Sequence, residues 1–347
     1  PEKPGPAHRN PAEAIQAAGT VLKNWIGKLN KIPAKELFQD RIKRWKKIGH
    51  WDEVTVNKTR LIQEKVSRLP IINKEGFVQR HKDCYSKSGK RVYDPVNGSL
   101  LQKNNYVCDI CGHKYVRPSA WDYMDLILDQ GSFNEHEETR YVIDKDILEF
   151  PGYSEKLEET RLRTGMTSAL ITGMGKILEN EVIYCGTEFG FLGGSYCMSS
   201  GEKIWRAAEI ALTKGLPMVL QACGGGARMH EGCSSMVGIP KAHVALTRVE
   251  HKGIPVITLI TDPTLGGVAI GYGSRGIRLF ELNSGNIGFS GRRVIEQYVG
   301  HKLGRDFQTT QWLHQHGHAD TIVTPENIRK MIVEIIEGSS PQNTVDK

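Results

Sequence analysis

Apolar and polar positions in the second half of the chain follow a pattern typical of an α/β domain. From about Met166 onward, short apolar runs end in glycine-rich turns and are followed by longer segments with helical spacing. Three of these runs predict buried strands, with the sequences EVIYCGTEFG, MVLQACGGGARM and IPVITLITDPTLGGVA. Because strand, turn and helix recur in this order, the pattern predicts an α/β domain over residues 166–338.

The apolar spacing also predicts the helices of this domain. In SGEKIWRAAEIALTKGLP the apolar residues fall on one face, and Gly215 and Pro217 are stop signals. A second helix is predicted in VALTRVEHKG and ends near Gly253. Two further helices are predicted in RRVIEQYVG and NIRKMIVEIIEG.

The first half of the chain differs in composition and predicts three further regions. Residues 1–70 are rich in Lys, Arg and Trp, and apolar spacing predicts an amphipathic helix in ELFQDRIKRWKKIGHWDEV. This basic helical extension is either a solvated surface helix or a docking arm for a partner subunit. Residues 77–116 hold Cys and His residues, and we expect the polar, acidic residues 117–165 to form a helical connector.

The composition is that of an ordinary folded protein. Apolar residues make up 39% of the 347 residues and charged residues 24%, which allows a sizeable core. No apolar run approaches the roughly 20 residues of a membrane span, and no signal-peptide pattern is present. We therefore expect a cytoplasmic or plastid protein without a membrane partner. The net charge of +7 favours anionic ligands without requiring nucleic acid.

The seven cysteines indicate thiols and not a disulfide framework. Cys185, Cys197, Cys223 and Cys233 lie in or beside apolar or glycine-rich segments. We expect these four to be core thiols in a reducing compartment.

The remaining three cysteines belong to a candidate zinc site. Cys108 and Cys111 form a C-x2-C pair, and His81 and Cys84 form an H-x2-C pair upstream. Tetrahedral Zn²⁺ takes four such ligands, and each pair would supply two. A structural zinc would stabilise a small lobe that lacks a core of its own. The alternative is a ribbon-shaped lobe without metal.

Three glycine-rich turns after the predicted strands could present backbone amides to a ligand. Their glycines are Gly193 and Gly194, Gly225 and Gly226, and Gly266 and Gly267. Two amides that converge on one carbonyl oxygen form an oxyanion hole, and the third turn has such a pair. Arg228, beside the second turn, either orients an anion or anchors the turn internally. No Ser-His-Asp triad, carboxylate pair or catalytic Cys–His pair is evident in these turns.

Five segments in one order resemble the β subunit of bacterial and plastid acetyl-CoA carboxylase carboxyltransferases. They are FLGGSYCMSSGEK, GGARMHEG, ITDPTLGGV, IGFSGRRVIEQ and FQTTQWLHQHGHADTIV. The resemblance runs from about residue 77 to 338. It implies a crotonase-like ββα superhelix with a zinc-ribbon-like lobe in front of it.

The resemblance also implies a reaction and partners. Carboxybiotin on a separate carrier protein would release CO2, and the freed biotin anion would remove a proton from the α-carbon of acetyl-CoA. The enolate would then attack CO2 to give malonyl-CoA for fatty acid biosynthesis. The implied partners are a carboxyltransferase α subunit in an α2β2 assembly, a biotin carboxyl carrier protein and biotin carboxylase.

Roles for the glycine turns follow from the same resemblance. Gly266 and Gly267 match the oxyanion-hole pair. The residues assigned to acyl-CoA binding are Gly193, Gly194, Gly225, Gly226 and Arg228. We expect the third turn to lie at the pocket and not in the core, so that Gly267→Val would leave folding intact.

Two departures from the family pattern bear on metal binding and activity. Lys87 stands where the family's ribbon has a Cys, and Tyr272, Arg275 and Arg278 replace small residues after Val268. The second departure alters the pocket or marks a non-catalytic scaffold subunit. Three further functions are compatible with the sequence. They are a carboxyltransferase for a different acyl-CoA such as propionyl-CoA, a related decarboxylase, and a nucleic-acid-binding zinc-ribbon protein.

Overall fold

The computed structural model of the chain describes residues 11–48, 72–73, 76–77, 118–282, 284–304 and 306–338. The chain divides into two units, Pro1–His50 and Trp51–Lys347. The candidate zinc ligands lie outside the described residues, as does Lys87; the ligands are His81, Cys84, Cys108 and Cys111. The zinc site therefore stays a prediction from the sequence.

The described residues 11–48 of the first unit form two helices, α1 (Pro11–Leu29) and α2 (Ala34–Lys47). The alanine-rich start of α1 favours a helix, and Pro33 precedes the first turn of α2, where its missing N–H is not needed. The second helix confirms the amphipathic helix predicted from the sequence. Among the described helices, none combines the length and apolar character needed to cross a membrane.

The second unit is built around a mixed sheet, which confirms the α/β class. Its strands are β3 (Asn134–Glu135), β4 (Leu170–Ile177), β5 (Asn180–Thr187), β6 (Met218–Gly224), β7 (Val256–Leu265), β8 (Ile277–Glu281), β9 (Ile287–Gly288) and β10 (Thr321–Val323). The order is β10-β8-β7-β6-β5-β4-β3, and β9 pairs with β7. The strands from β5 to β10 pair in parallel, whereas β3, β4 and β5 pair antiparallel. A separate antiparallel pair is formed by β1 (Ile72–Asn73) and β2 (Gly76–Phe77).

Helices connect and cover these strands. They are α3 (Ala120–Ile127), α4 (Glu137–Arg140), α5 (Tyr153–Thr164), α6 (Met198–Lys214), α7 (Cys233–His251), α8 (Arg292–Val299), α9 (Thr310–Gln315) and α10 (Ile328–Gly338). One core cluster joins α3 and α10 to the sheet and includes Val182 and Tyr184 of β5. The alternate residues of β5, Ile183 and Cys185, are also buried. Since successive side chains of a strand point to opposite faces, both faces of the sheet are covered here.

The predicted strands and helices are observed, with two differences. Helix α7 begins at Cys233 and not near Val244, because its first half contains Gly238 and Pro240, which the sequence pattern treats as breakers. The segment 117–165 also contributes β3, which pairs with β4, and α3, which packs in the sheet core. This segment is therefore part of the folded second unit and not only a connector.

Candidate functional site

The three predicted glycine turns lie together at one edge of the sheet. Strands β5, β6 and β7 are parallel, and a turn follows the carboxyl end of each. These turns are the 3-10 turn Leu192–Gly194, residues 224–226, and the helical turn Gly266–Val268. In open α/β sheets, ligands bind outside the carboxyl ends of the parallel strands. The structure thus brings all six predicted turn glycines to the edge where a ligand site is expected.

The first two turns are joined by backbone hydrogen bonds. The Gly225 N–H donates to the Gly193 carbonyl at 2.9 Å, and the Tyr196 N–H donates to the Gly226 carbonyl at 2.7 Å. A side chain on Gly194 would collide with the Cys223 carbonyl. At Gly225, in contrast, the nearest atom to an added Cβ is the Gly193 carbonyl oxygen at 3.7 Å. Close packing therefore requires glycine at position 194, whereas Gly225 has open space beside it.

The third turn packs directly on the second. An added Cβ at Gly267 would lie 2.9 Å from the Ala227 nitrogen and 3.0 Å from its Cβ. An added Cβ at Gly226 would lie 3.9 Å from the Gly267 nitrogen. Gly267 is buried. The expectation that Gly267→Val leaves folding intact is therefore wrong, because the new side chain would collide with the backbone of the second turn.

The third turn is the start of a short helical segment that follows β7. Gly266 has a φ of +48°, and Gly266–Val268 continue into a π-helical turn, Ala269–Gly273. The first N–H groups of a helix have no acceptor within the helix. The pairing of Leu265 with Gly288 places Gly266 beside the β7–β9 ladder, and the Gly267 N–H, one residue further into the helical turn, is suited to donate to a ligand oxygen.

Arg228 is buried behind the first two turns. Its guanidinium pairs with Asp144 and donates to Tyr153 Oη at 3.1 Å, Ser195 Oγ at 2.8 Å and the Ser195 carbonyl at 2.9 Å. Its backbone N–H donates to the Tyr196 carbonyl at 2.7 Å. These contacts are those of an internal anchor, one of the two roles expected for Arg228. A contact between Arg228 and a substrate stays a prediction.

The buried network around Arg228 extends to a second carboxyl group. Glu231 accepts hydrogen bonds from Tyr153 Oη at 3.0 Å and the Met198 N–H at 2.9 Å, and lies 3.8 Å from the guanidinium. Burial, with Asp144 nearby, raises the pKa of Glu231 to about 7. Burial also raises the pKa of the Cys197 thiol to about 12, so this group stays protonated.

Potential ligand atoms of Asp144, Cys197 and Glu231 lie within 4.8 Å of one another. The Arg228 guanidinium already supplies the positive charge beside these carboxyls, so the arrangement is a hydrogen-bonded ion pair and not a metal site. The sequence pattern gives no sign that Asp144, Tyr153 or Glu231 are partners of Arg228. No spacing rule relates Asp144 to an arginine 84 residues later.

The raised pKa of Glu231 predicts a pH-dependent stability. In the folded chain Glu231 keeps its proton up to about pH 7, whereas its ordinary pKa is 4.5. Between these values the folded state binds more protons than the unfolded state, so stability falls as pH rises from 4.5 through about 7. We expect a loss of up to roughly 3 kcal/mol. The melting temperatures of the wild type and of Glu231→Gln are measured over this pH range, and that of the wild type should decline more steeply. Equal declines in the two proteins would contradict this role of Glu231.

The residues that depart from the family pattern are held by internal contacts. Arg275 pairs with Glu250 on α7, and Arg278 pairs with Asp320 at 2.8 Å. Tyr272 is buried. Neither arginine therefore brings an unpaired charge to the glycine turns. The substitutions that suggested a non-catalytic subunit make contacts within the fold.

Three of the predicted core thiols are confirmed. Cys185, Cys197 and Cys223 are buried, but Cys233 is exposed at the first residue of α7. The prediction is therefore wrong for Cys233, because this residue begins a helix and faces solvent there.

Sequence comparison places this chain in a known family. Residues 113–337 match the model of the carboxyl transferase domain. The chain is 36% identical over 283 residues to the acetyl-coenzyme A carboxylase carboxyl transferase subunit beta of Clostridium novyi, covering 81% of this chain and 96% of that protein. Its counterpart in Carboxydothermus hydrogenoformans is 38% identical over 240 residues, covering 69% and 85%. A subunits beta/alpha protein of Natranaerobius thermophilus is 34% identical over 237 residues, which are 68% of this chain and 39% of that protein.

Solved structures share the fold. Transcarboxylase 12S with methylmalonyl-coenzyme A and methylmalonic acid bound has a TM-score of 0.54 at 23% identity, covering 67% of this chain and 43% of that chain. A Pseudomonas malonate decarboxylase hetero-tetramer in complex with malonate has a TM-score of 0.52 at 21% identity, covering 66% and 86%. At these identities the likeness concerns the fold alone.

Proposed function

Because this chain belongs to the family of acetyl-CoA carboxylase carboxyl transferase β subunits, we propose that it transfers the carboxyl group of carboxybiotin to acetyl-CoA, giving malonyl-CoA. The observation that carries the proposal is the meeting of three glycine turns at the carboxyl ends of β5, β6 and β7. All three lie within the range that matches the family. The crotonase-like superhelix of this family is proposed for residues 166–338 on the same grounds.

The chemistry requires a place for the enolate oxygen of the thioester. Carboxybiotin, attached to a separate carrier protein, supplies CO2 and the base that removes the α-proton. This chain would supply the N–H groups of Gly266 and Gly267, aimed at the oxygen where charge develops. Preorganised amides stabilise an oxyanion without a side-chain acid, which accounts for the lack of a side-chain nucleophile in the turns.

The first and second turns would position the acyl-CoA. The open space beside Gly225 leaves room for a ligand next to the backbone, and the hydrogen bond from Gly225 to Gly193 keeps the two turns at a fixed spacing. The residues proposed for this wall are Gly193, Gly194, Gly225 and Gly226. Arg228 would act on them from behind, through Ser195 and Tyr196.

Partner subunits are part of the proposal. We propose an α-type carboxyltransferase subunit in an α2β2 assembly, with a biotin carboxyl carrier protein and biotin carboxylase on separate chains. The relative whose name combines beta and alpha subunits in one protein supports an α-type partner. We also propose a structural Zn²⁺ held by His81, Cys84, Cys108 and Cys111, which rests on the spacing of these residues alone.

The test is an assay of the chain reconstituted with an α-type subunit. We expect malonyl-CoA-dependent carboxyl transfer to biocytin, measured as acetyl-CoA formation, and no transfer by either subunit alone. Methylmalonyl-CoA serves as the comparison substrate and should react more slowly. An assembled complex that is inactive with both would support a scaffold subunit, and acetyl-CoA formation without biocytin would support a decarboxylase.

A further inference from the structure

The positive charge of the chain is concentrated in its first 48 residues. Residues 1–48 contain eleven Lys and Arg and four Asp and Glu, so their formal net charge is +7. This equals the net charge of the whole chain, and residues 49–347 therefore sum to zero. The family match begins only at residue 113. The carboxyltransferase chemistry thus gives no reason for this charge.

Helix α1 has an apolar face that is exposed among the described residues. Its apolar residues recur at intervals of three and four, which places them on one side of the helix. They include Ile15, Ala18, Leu22, Trp25, Ile26 and Leu29. None is buried, and Ile15 and Leu22 are 71% and 60% exposed. A contiguous exposed face of this kind marks an interaction surface.

Lysines stand on both edges of this face. With a rotation of about 100° per residue, Lys23 lies next to Ile26 at one edge of the apolar face. Lys28 lies next to Val21 at the other edge. The Lys28 ammonium lies 5.3 Å from the centre of the Trp25 ring. Lysines at the edges of an apolar face can extend their charges into a polar layer while the face itself is buried.

Helix α2 also has an apolar side and carries a higher positive charge than α1. Leu37, Phe38, Ile42 and Trp45 share one side, and no residue of the helix is buried. The basic residues are Lys35, Arg41, Lys43, Arg44, Lys46 and Lys47. Helix α1 therefore combines an exposed apolar face with flanking lysines, and α2 adds a higher positive charge beside an apolar side of which Phe38 is exposed and Leu37, Ile42 and Trp45 are half-buried.

We propose that α1 and α2 bind the surface of an anionic phospholipid bilayer and attach the carboxyltransferase unit to a membrane. The apolar side chains enter the boundary between headgroups and acyl chains, and the Lys and Arg side chains contact lipid phosphates. An anionic lipid surface suits the exposed apolar face of α1 with lysines along both of its edges, and the further Lys and Arg residues of α2 add attraction to the same lipid phosphates. The expected lack of a membrane partner rested on the lack of a spanning run, which an interfacial helix does not need.

The experiment is vesicle flotation of the full chain. Wild-type protein is mixed with vesicles of phosphatidylglycerol and phosphatidylcholine in equal parts, or of phosphatidylcholine alone. The test variant, Leu22→Gln/Ile26→Gln, removes two side chains of the apolar face. Its matched control, Thr20→Gln/Asn24→Gln, makes the same number of changes on the polar face. Both variants leave the charge and the glycine turns unchanged, so carboxyl transfer should be equal in the two.

We expect wild-type binding to anionic vesicles to be at least about tenfold stronger than to phosphatidylcholine. Leu22→Gln/Ile26→Gln should lower binding to anionic vesicles at least about tenfold, and the control should stay within about twofold of wild type. Equal binding to both lipids, or equal binding by the two variants, would overturn the proposal. Retention on polyglutamate beads without flotation would also overturn it, in favour of an acidic protein partner.

Discussion

Replacement of Asp144 by alanine is expected to lower the free energy of unfolding of the second unit by about 3–5 kcal/mol. The side chains of Asp144 and Arg228 are 0% and 1% exposed, so the guanidinium would be left buried without its carboxylate partner. Glu231, at 3.8 Å from the guanidinium, can ionise in place of Asp144, which favours the lower end of this range. Urea unfolding of the purified chain measures the effect.

An exposed ion pair provides the control for Asp144→Ala. Lys330 and Glu334 pair at 3.5 Å on α10, with side chains 78% and 51% exposed. Glu334→Ala should change stability by less than about 1 kcal/mol, because exposed pairs in water contribute little. If Asp144→Ala proved as mild as Glu334→Ala, the buried pair could not be the anchor of the turns.

The anchor has a consequence for the site as well as for stability. Arg228 holds Ser195 and Tyr196 of the first turn, while its own backbone belongs to the segment after the second turn. Loss of Asp144 would therefore weaken the side-chain link between the first two turns, and only the backbone hydrogen bonds from Gly225 to Gly193 and from Tyr196 to Gly226 would still fix their spacing. Acyl-CoA binding and carboxyl transfer should fall together in this variant, since both depend on the spacing of the turns.

Local signals explain why much of the fold could be predicted from the sequence. The strands β5, β6 and β7 are apolar runs that end at a glycine turn, and both features lie within a few consecutive residues. The helix α6 ends at Gly215 with a φ of +70°, as its stop signal predicted. The family motifs lie on these same turns, so the positions of Gly193, Gly225 and Gly266 could be predicted together.

Contacts between distant segments could not be predicted in the same way. Asp144 lies in a polar stretch that looks like a linker, and only the folded chain brings it to Arg228. The packing of Gly267 on Ala227 is equally invisible in the sequence, since glycine is common both in open turns and in close backbone contacts. For this reason the motif alone gives the wrong expectation for Gly267→Val.

Removal of the Gly267 N–H is expected to lower kcat for carboxyl transfer by roughly 10²–10³, with KM for malonyl-CoA within a few-fold of wild type. The enolate oxygen carries nearly a full charge in the transition state, whereas the ground-state carbonyl carries little. A donor aimed at this oxygen therefore acts on kcat more than on binding. A substitution that adds a side chain at position 267 cannot test this role, because the side chain would collide with Ala227 and disturb the fold.

The measurement that tests the role of the amides most directly is an amide-to-ester exchange. Semisynthesis of the chain with glycolate in place of Gly267 replaces the N–H with an oxygen and adds no atom that could meet Ala227. The complex with the α-type subunit is then assayed with malonyl-CoA and biocytin, and its melting temperature is compared with that of wild type. The oxyanion assignment predicts normal melting and a kcat lower by roughly 10²–10³. A kcat within about threefold of wild type in a normally folded complex would contradict it.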